Sequence, residues 1–245
     1  VSNLVTRPDP LAVPVRALTV GAHPDDAEFG AGGTLSRWAA AGCEVSILVV
    51  TDGSKGTWDP EATPTQLALA RQAEQKAAAA VLGATGEIVH LGYVDGELES
   101  SMELRRHICE WVRRLRPEVV LTHDPWRRYM LHPDHRATGW AGIDGVVAAR
   151  DHLFFPELGL AKHRPAALLL WAADEPDYWE DIEDTFATKI DALLCHSSQG
   201  QSTMNDAGAG ADARAVFVER MRQWSEEQGA RVGLRLAESF KRIRP

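Results

Sequence analysis

Two short stretches hold most of the side chains able to do chemistry. In "VGAHPDDAEFGAGG", residues 20–33, an apolar run stops at His23, and Asp25 and Asp26 follow almost at once. In "THDPWRRYMLHPDHRATG", residues 122–139, His132 and His135 stand three apart with Asp134 between them. Both contain His-Pro-Asp, and the proline fixes φ and turns the chain, aiming its neighbours into one pocket. Imidazole with carboxylate is the donor mixture of a divalent transition metal. His23 and Asp26 supply only two donors, so the remainder must come from another strand end, and the second stretch offers them. Taken singly, each motif has a plain structural reading: an aspartate before a helix is usually an N-cap, as Asp26 or Asp134 would be, and a lone histidine is more often a hydrogen-bonded structural residue than a ligand. Two such motifs at neighbouring strand ends weigh against that reading. The glycines of "GAGG" could belong to a dinucleotide fingerprint, but Leu35 stands where its last glycine belongs, and Asp25 and Asp26 would meet the pyrophosphate. They read better as clearance for a closely packed helix.

The elements that must position these residues alternate. "VRALTVGA" and "EVSILVVT" are continuous apolar runs of strand length with "AGGTLSRWAAAG" between them at helical spacing. The pattern recurs as a helix from Thr65 to Leu82 closed by Gly83, a strand at "EIVHLG", an amphipathic helix at "SMELRRHICEWVRRLR" and a strand at "EVVLTH". A helix to about Arg150, a strand at "PAALLLWAA", a helix from Asp184 to about His196 and a last helix or strand near "ARVGLRLAESF" follow. Such alternation predicts a single α/β domain, Rossmann-like and doubly wound, with a mostly parallel sheet and helices on both faces. The expected domain spans residues 15–245, preceded by a proline-containing arm at 1–14 and carrying a mobile loop at about 200–213. In the commonest doubly wound order the first and fourth strands are neighbours, and ligands bind beyond the carboxyl ends of the strands there, where both motifs lie.

Composition narrows the partners. With 245 residues and a net charge of −9, the chain lacks the basic footprint of a nucleic-acid or anionic-membrane binder. No run approaches the roughly 20 apolar residues of a membrane span, and the first residues lack the basic and apolar regions of a signal peptide. Cys43, Cys109 and Cys195 are odd in number and widely spaced, which fits reduced thiols and a cytoplasmic location.

"AHPDD" followed by "HPDH" resembles the LmbE-like, or PIG-L, superfamily of zinc-dependent N-deacetylases acting on N-acetylglucosaminyl compounds. "TDG", "RQAEQKAAAAVLGA", "LGYVDGEL", "PEVVLTHDP" and "KIDALLCHSSQ" extend the resemblance over roughly residues 16–200. It implies one zinc ion per chain, bound by His23, Asp26 and His135, with Asp25 as general base. Three protein ligands would leave a position for water, whose pKa the metal lowers toward about 7. It further implies that His132 stabilises the oxyanion or protonates the leaving amine and that Asp134 holds the His132 ring, favouring its charged form. Arg71 and Asp95 match positions that hold the substrate, and His196, at a landmark near the site, is expected as a further substrate contact, a structural hydrogen bond being the alternative. His123 is expected to support the site from behind strand four.

Departures from the family bear on substrate. Met130 stands where some thiol-pathway deacetylases carry an oxyanion-assisting tyrosine, which leaves that role vacant or to a neighbour such as Tyr129. Trp58, Trp126, Arg127 and Arg128 enrich the two variable loops; aromatic faces can stack on sugars and arginines can meet a carboxylate or phosphate on the aglycone. The implied function is removal of the N-acetyl group from a GlcNAc-containing small molecule: a thiol precursor, a glycosylated natural product or a short chitooligosaccharide. A mycothiol-conjugate-type amidase is the alternative within the family, and the resemblance is compatible with a homo-oligomer. Two readings of other classes are a non-haem iron oxygenase, whose two-His-one-carboxylate triad normally sits in an all-β jelly roll, and a carbohydrate-binding protein that kept the fold without turnover.

Overall fold

The computed structural model describes residues 5, 6, 8–204 and 210–245. Seven strands form one sheet: β1 (Arg16–Gly21), β2 (Glu44–Thr51), β3 (Ile88–Tyr93), β4 (Val119–His123), β5 (Ala167–Trp171), β6 (Tyr178–Asp181) and β7 (Ala237–Ile243). Their order is β3-β2-β1-β4-β5-β7-β6. The first five are parallel, and β7 runs antiparallel to both β5 and β6. The chain leaves β1 toward β2 and β3 on one side and returns to β4 and β5 on the other. The β1–β4 boundary is therefore the switch point at which a ligand crevice opens.

Six helices cover the sheet: α1 (Asp26–Ala40), α2 (Pro64–Leu82), α3 (Met102–Leu115), α4 (Pro133–Arg150), α5 (Phe186–Leu193) and α6 (Ala211–Ala230). Strand alternation divides the core into two layers. Ala17, Val45, Ile47, Val49 and Leu121 pack with Leu35 and Trp38 of α1 and Ala78 and Leu82 of α2. Leu18, Val20, Leu48, Val50 and Val120 pack on the opposite face with Leu104, Ile108 and Val112 of α3 and Ala141 and Val146 of α4. Apolar side chains on both faces explain why these strands read as unbroken apolar runs, and a one-residue slip would exchange the two layers. The glycines of α1 are clearance, as their sequence position suggests. A Cβ on Gly30 would lie 2.5 Å from the Trp171 ring, and one on Gly33 would lie 2.7 Å from Ile182.

The start of α1 and the C-terminal third depart from expectation. α1 starts at Asp26, directly after the His-Pro-Asp turn, several residues before the apolar periodicity is visible. β6 is only four residues, YWED, and α6 occupies mainly a stretch to which the sequence pattern assigns no element. The helix expected from Asp184 to His196 is broken into a 3₁₀ turn at Glu183–Thr185, α5, and a second 3₁₀ turn at Ser197–Gln199. The last element is a strand, β7. Of the loop expected at 200–213, residues 205–209 lie outside the described residues and α6 begins at Ala211; of the arm, residues 1–4 and 7 lie outside them. The rest of the arm lies on the body, where the Leu11 N–H donates to the Tyr178 hydroxyl at 2.9 Å.

Candidate active site

Beyond β1 the chain turns through His23 and Asp25 into α1. Asp25 has φ +104°, a conformation rare outside glycine and a mark of local strain. It occupies the N-cap position, yet its carboxylate makes no capping hydrogen bond, so capping does not explain it. Its oxygen lies 3.3 Å from Arg71 Nη2 instead, and it lines the central cavity. Asp26 is held from two sides: the His23 backbone N–H donates to Oδ2 at 2.8 Å, and His123 Nε2 lies 3.0 Å from the same oxygen. The Trp171 indole N–H donates to His123 Nδ1 at 3.0 Å. That bond makes Nδ1 the acceptor, so neutral His123 carries its proton on Nε2 and donates to Asp26. His123 thus supports the site from behind β4, as its position implies.

The second motif arrives from α4. His132 is the N-cap, with its Nδ1 accepting from the Asp134 N–H at 3.3 Å. His23 Nδ1 and His135 Nε2 are 3.2 Å apart. Asp26 Oδ1 lies 3.3 Å from His135 Nε2, and Asp26 Oδ2 lies 3.6 Å from His23 Nδ1. Donors of a tetrahedral centre with bonds of about 2.1 Å stand about 3.4 Å apart. The two imidazoles and one carboxylate therefore fit a divalent transition metal. Asp134 and Asp95 address the other side of His23, at 3.1 and 3.2 Å from its Nε2, the usual arrangement for orienting a ligating imidazole. Among the described residues, the sets whose ligand atoms all come within 4.8 Å of one another are His23, His132 and His135; Asp26, His123 and His135; and His23, Asp95, His132 and Asp134, so His23 and Asp26 each group with His135 but not in one set.

Electrostatics fit this division of labour. Burial disfavours charge on His23, but hydrogen bonds to Asp134, Asp26 and Asp95 hold the imidazole well above its ordinary pKa. The pocket favours positive charge, which a divalent cation provides. Burial likewise opposes the charge on Asp26, yet His135 and His123 keep it well below the usual carboxylate range. Asp25 behaves oppositely: burial pushes it up to about 6, although the Arg71 charge pulls it down. The two adjacent carboxylates therefore differ in charge preference, Asp26 held ionised and Asp25 poised to take up a proton nearer neutrality.

Two expected roles need correction. The Asp134 carboxylate is not on the His132 ring; it accepts from the Gly96 and Leu98 backbone N–H groups at 2.7 and 3.3 Å and contacts His23. Its backbone N–H, rather than its carboxylate, meets His132, whose pKa burial lowers. A neutral His132 with Nδ1 as acceptor presents Nε2–H as a donor. His196 is not a substrate contact in this structure: it is fully buried, 3.5 Å from Glu28, and absent from the cavity wall.

The remaining candidates separate clearly. Arg71 and Asp95 line a cavity of about 530 Å³ with His23, Asp25 and His132. Arg71 is also tied down, donating to the Gly53 and Pro24 carbonyls at 3.0 and 2.6 Å. A Cβ on Gly56 would lie 2.5 Å from its guanidinium, so the glycines of "TDGSKG" make way for it. Burial works against the charge of Asp95, but hydrogen bonding to His23 takes its pKa down to about 2. Trp126 and Arg127 do not line this cavity: Arg127 borders an adjoining one, and Trp126 packs edge-on against Trp140. Tyr129 is 87% exposed at φ +60°, pointing away from any role at the oxyanion, and Trp58 is exposed.

A buried relay behind Asp25 escaped sequence reasoning. The Gln75 amide accepts from the Asp25 N–H at 3.1 Å and donates to Glu28 at 2.7 Å, and Glu28 then faces His196. The available signal was the i, i+4 spacing of Arg71 and Gln75 on one face of α2, together with a charged Glu28 among the alanines and glycines of α1.

Comparison with known proteins identifies the family. The family model described as PIG-L, GlcNAc-PI de-N-acetylase, matches residues 18–146, more than half of the chain. The chain belongs to the PIG-L family. A diacetylchitobiose deacetylase of Thermococcus kodakarensis is 38% identical to this PIG-L protein over 190 residues, 75% of this chain and 70% of that one. A 1D-myo-inositol 2-acetamido-2-deoxy-α-D-glucopyranoside deacetylase of Streptomyces avermitilis is 33% identical over 168 residues, 59% of this chain and 57% of that one. Among solved structures, the N,N'-diacetylchitobiose deacetylase of Pyrococcus horikoshii superposes with a TM-score of 0.85 at 30% identity, covering 94% of this chain and 84% of that one. The doubly wound sheet also removes the jelly roll on which the iron-oxygenase reading depends. No helix among the described residues is long and apolar enough to cross a membrane.

Proposed function

We propose that this PIG-L protein hydrolyses the N-acetyl group of a GlcNAc-containing small molecule, with one zinc ion held by His23, Asp26 and His135. The observation that carries the reading is the convergence of His23 Nδ1 and His135 Nε2, 3.2 Å apart, on the Asp26 carboxylate, whose Oδ1 faces His135 and whose Oδ2 faces His23, beside a strained and uncapped Asp25. A divalent metal there would supply Lewis acidity to the water and the amide carbonyl. Asp25, with a pKa near 6, accepts the proton of the attacking water. His132 donates from Nε2 to the oxygen that gains charge at the carbonyl, or to the departing amine. Arg71 holds Asp25 in place, and Asp95 is placed to meet sugar hydroxyls from the cavity wall. The relatives named above support a saccharide substrate, and the free thiols of Cys43, Cys109 and Cys195 suit a cytoplasmic site of action.

Free-amine release should be measured over a panel of N-acetylglucosaminides, including diacetylchitobiose and GlcNAc-inositol and GlcNAc-malate conjugates. Activity abolished by chelator and restored by zinc is expected. Turnover unchanged after complete metal removal would contradict the mechanism.

A further inference from the structure

Two cavities meet at the proposed metal ligands. The larger, about 530 Å³, presents Arg71, Asp95, Lys55 and Gln199. The smaller, about 190 Å³, is walled by Met130, Trp171, Ala172 and Trp224, with Arg127 and His123 also on its wall. Both share Asp26, Phe29 and His135. A trans amide is planar, with its acyl carbon and its nitrogen substituent on opposite sides. With the carbonyl at the shared residues, the two arms enter different cavities. The polar cavity suits the sugar, and the apolar one suits the acyl group.

The smaller cavity is too large for a methyl group alone. An apolar protein cavity of about 150 Å³ admits a benzene-sized guest. Its wall also adapts, since Met130 is an unbranched thioether that repacks readily. The loop that carries Met130 also exposes Trp126, Tyr129 and Leu131, at 55%, 87% and 88%, while its Arg127 stands on the cavity wall. Clustered exposed apolar side chains beside a site point to an apolar ligand.

We propose that this cavity is an acyl subsite and that the enzyme hydrolyses N-acyl groups of about four to six carbons from amino sugars, as well as acetyl. The inference rests on the amide-hydrolase reading above. The reaction balances as one water consumed: its oxygen bonds to the carbonyl carbon, the C–N bond breaks, the acyl chain leaves as the carboxylic acid, and a water proton ends on the sugar amine.

The test uses the zinc-loaded enzyme with N-acetyl, N-butyryl and N-hexanoyl derivatives of one glucosaminide. Each methylene buried should raise kcat/KM about fourfold until the cavity fills, placing butyryl roughly sixteenfold above acetyl. Met130→Trp fills the cavity and should reverse that ratio, with both substrates measured on one preparation. Saturation-transfer NMR on the metal-free protein should show hexanamide contacting the wild type and not Met130→Trp. Acetyl cleaved faster than butyryl by the wild type, or a ratio unmoved by Met130→Trp, would overturn the acyl subsite while leaving the amide-hydrolase reading intact. No cleavage of any member would overturn that reading itself.

Discussion

Gln75→Leu isolates the relay behind the proposed base. Leucine has similar bulk but no polar atoms, so it deletes the bond accepted from the Asp25 N–H at 3.1 Å and the one donated to Glu28 at 2.7 Å. Glu28 and Gln75 are fully buried, so water does not replace either bond. An orphaned buried neutral donor costs about 1–3 kcal/mol, and a charged acceptor costs more. Together they amount to about 3–5 kcal/mol, a large share of the usual 5–15 kcal/mol. At about 2–4 °C per kcal/mol for a chain of this size, Tm should fall by roughly 10 °C. The functional effect should exceed the structural one. The Gln75 bond is one of those holding Asp25 at φ +104°, and once released the carboxylate can shift by about 1 Å, which costs about 10²-fold in rate. None of His23, Asp26 and His135 is hydrogen-bonded to Gln75, so zinc stoichiometry should remain one per chain. Thermal denaturation, metal analysis and steady-state kinetics of the folded variant test this: kcat should fall about 100-fold with KM much less affected. A kcat within twofold of wild type would refute the positioning role, and loss of zinc together with kcat would refute the separation of base from ligands.

Asp25→Asn should keep its zinc and lose most turnover, measured as amine release against metal content; full activity would remove Asp25 from the chemistry. Because the base must be ionised, kcat/KM should fall with decreasing pH at or below about 6, and a bound cation would draw that limb lower. Arg71 lowers the Asp25 pKa, so Arg71→Gln should move the limb upward in a pH–rate profile, and a limb that stays or moves down would contradict the pairing. Lys189 Nζ lies 2.6 Å from buried Glu238, which also accepts from the Gly33 and Thr34 N–H groups. Lys189→Met strands that carboxylate and should cost about 3–5 kcal/mol in denaturant unfolding, while a change below 1 kcal/mol would show the pair to be dispensable.

What was legible in the sequence follows from the range of the interactions involved. The β1–α1–β2 unit, the paired His-Pro-Asp motifs and the β1–β4 neighbourhood are written in local apolar runs and turn chemistry, and the structure bears out the mostly parallel doubly wound sheet. The relay was not legible, because Gln75, Glu28 and His196 come from three separate elements and none carries a motif. The family resemblance assigns Asp134 to His132, two residues before it; two backbone N–H groups of the loop after β3 capture its carboxylate instead. β6 escaped because four residues with two charges show no alternation, and its buried Glu180 is bridged to Tyr178 and Arg37. α6 lacks a well-defined apolar stripe: Phe217, Met221, Ser225 and Gly229 are its buried residues, and two of the four are not apolar side chains.

The central claim is that one cation sits among three particular donors. Anomalous diffraction at the zinc absorption edge, on crystals grown with zinc, tests it most directly. A single peak within about 2.3 Å of His23 Nδ1, an Asp26 carboxylate oxygen and His135 Nε2 is predicted. A peak on the other side of His23, between Nε2, Asp95 and Asp134, or one that recruits His132 in place of Asp26, would contradict it.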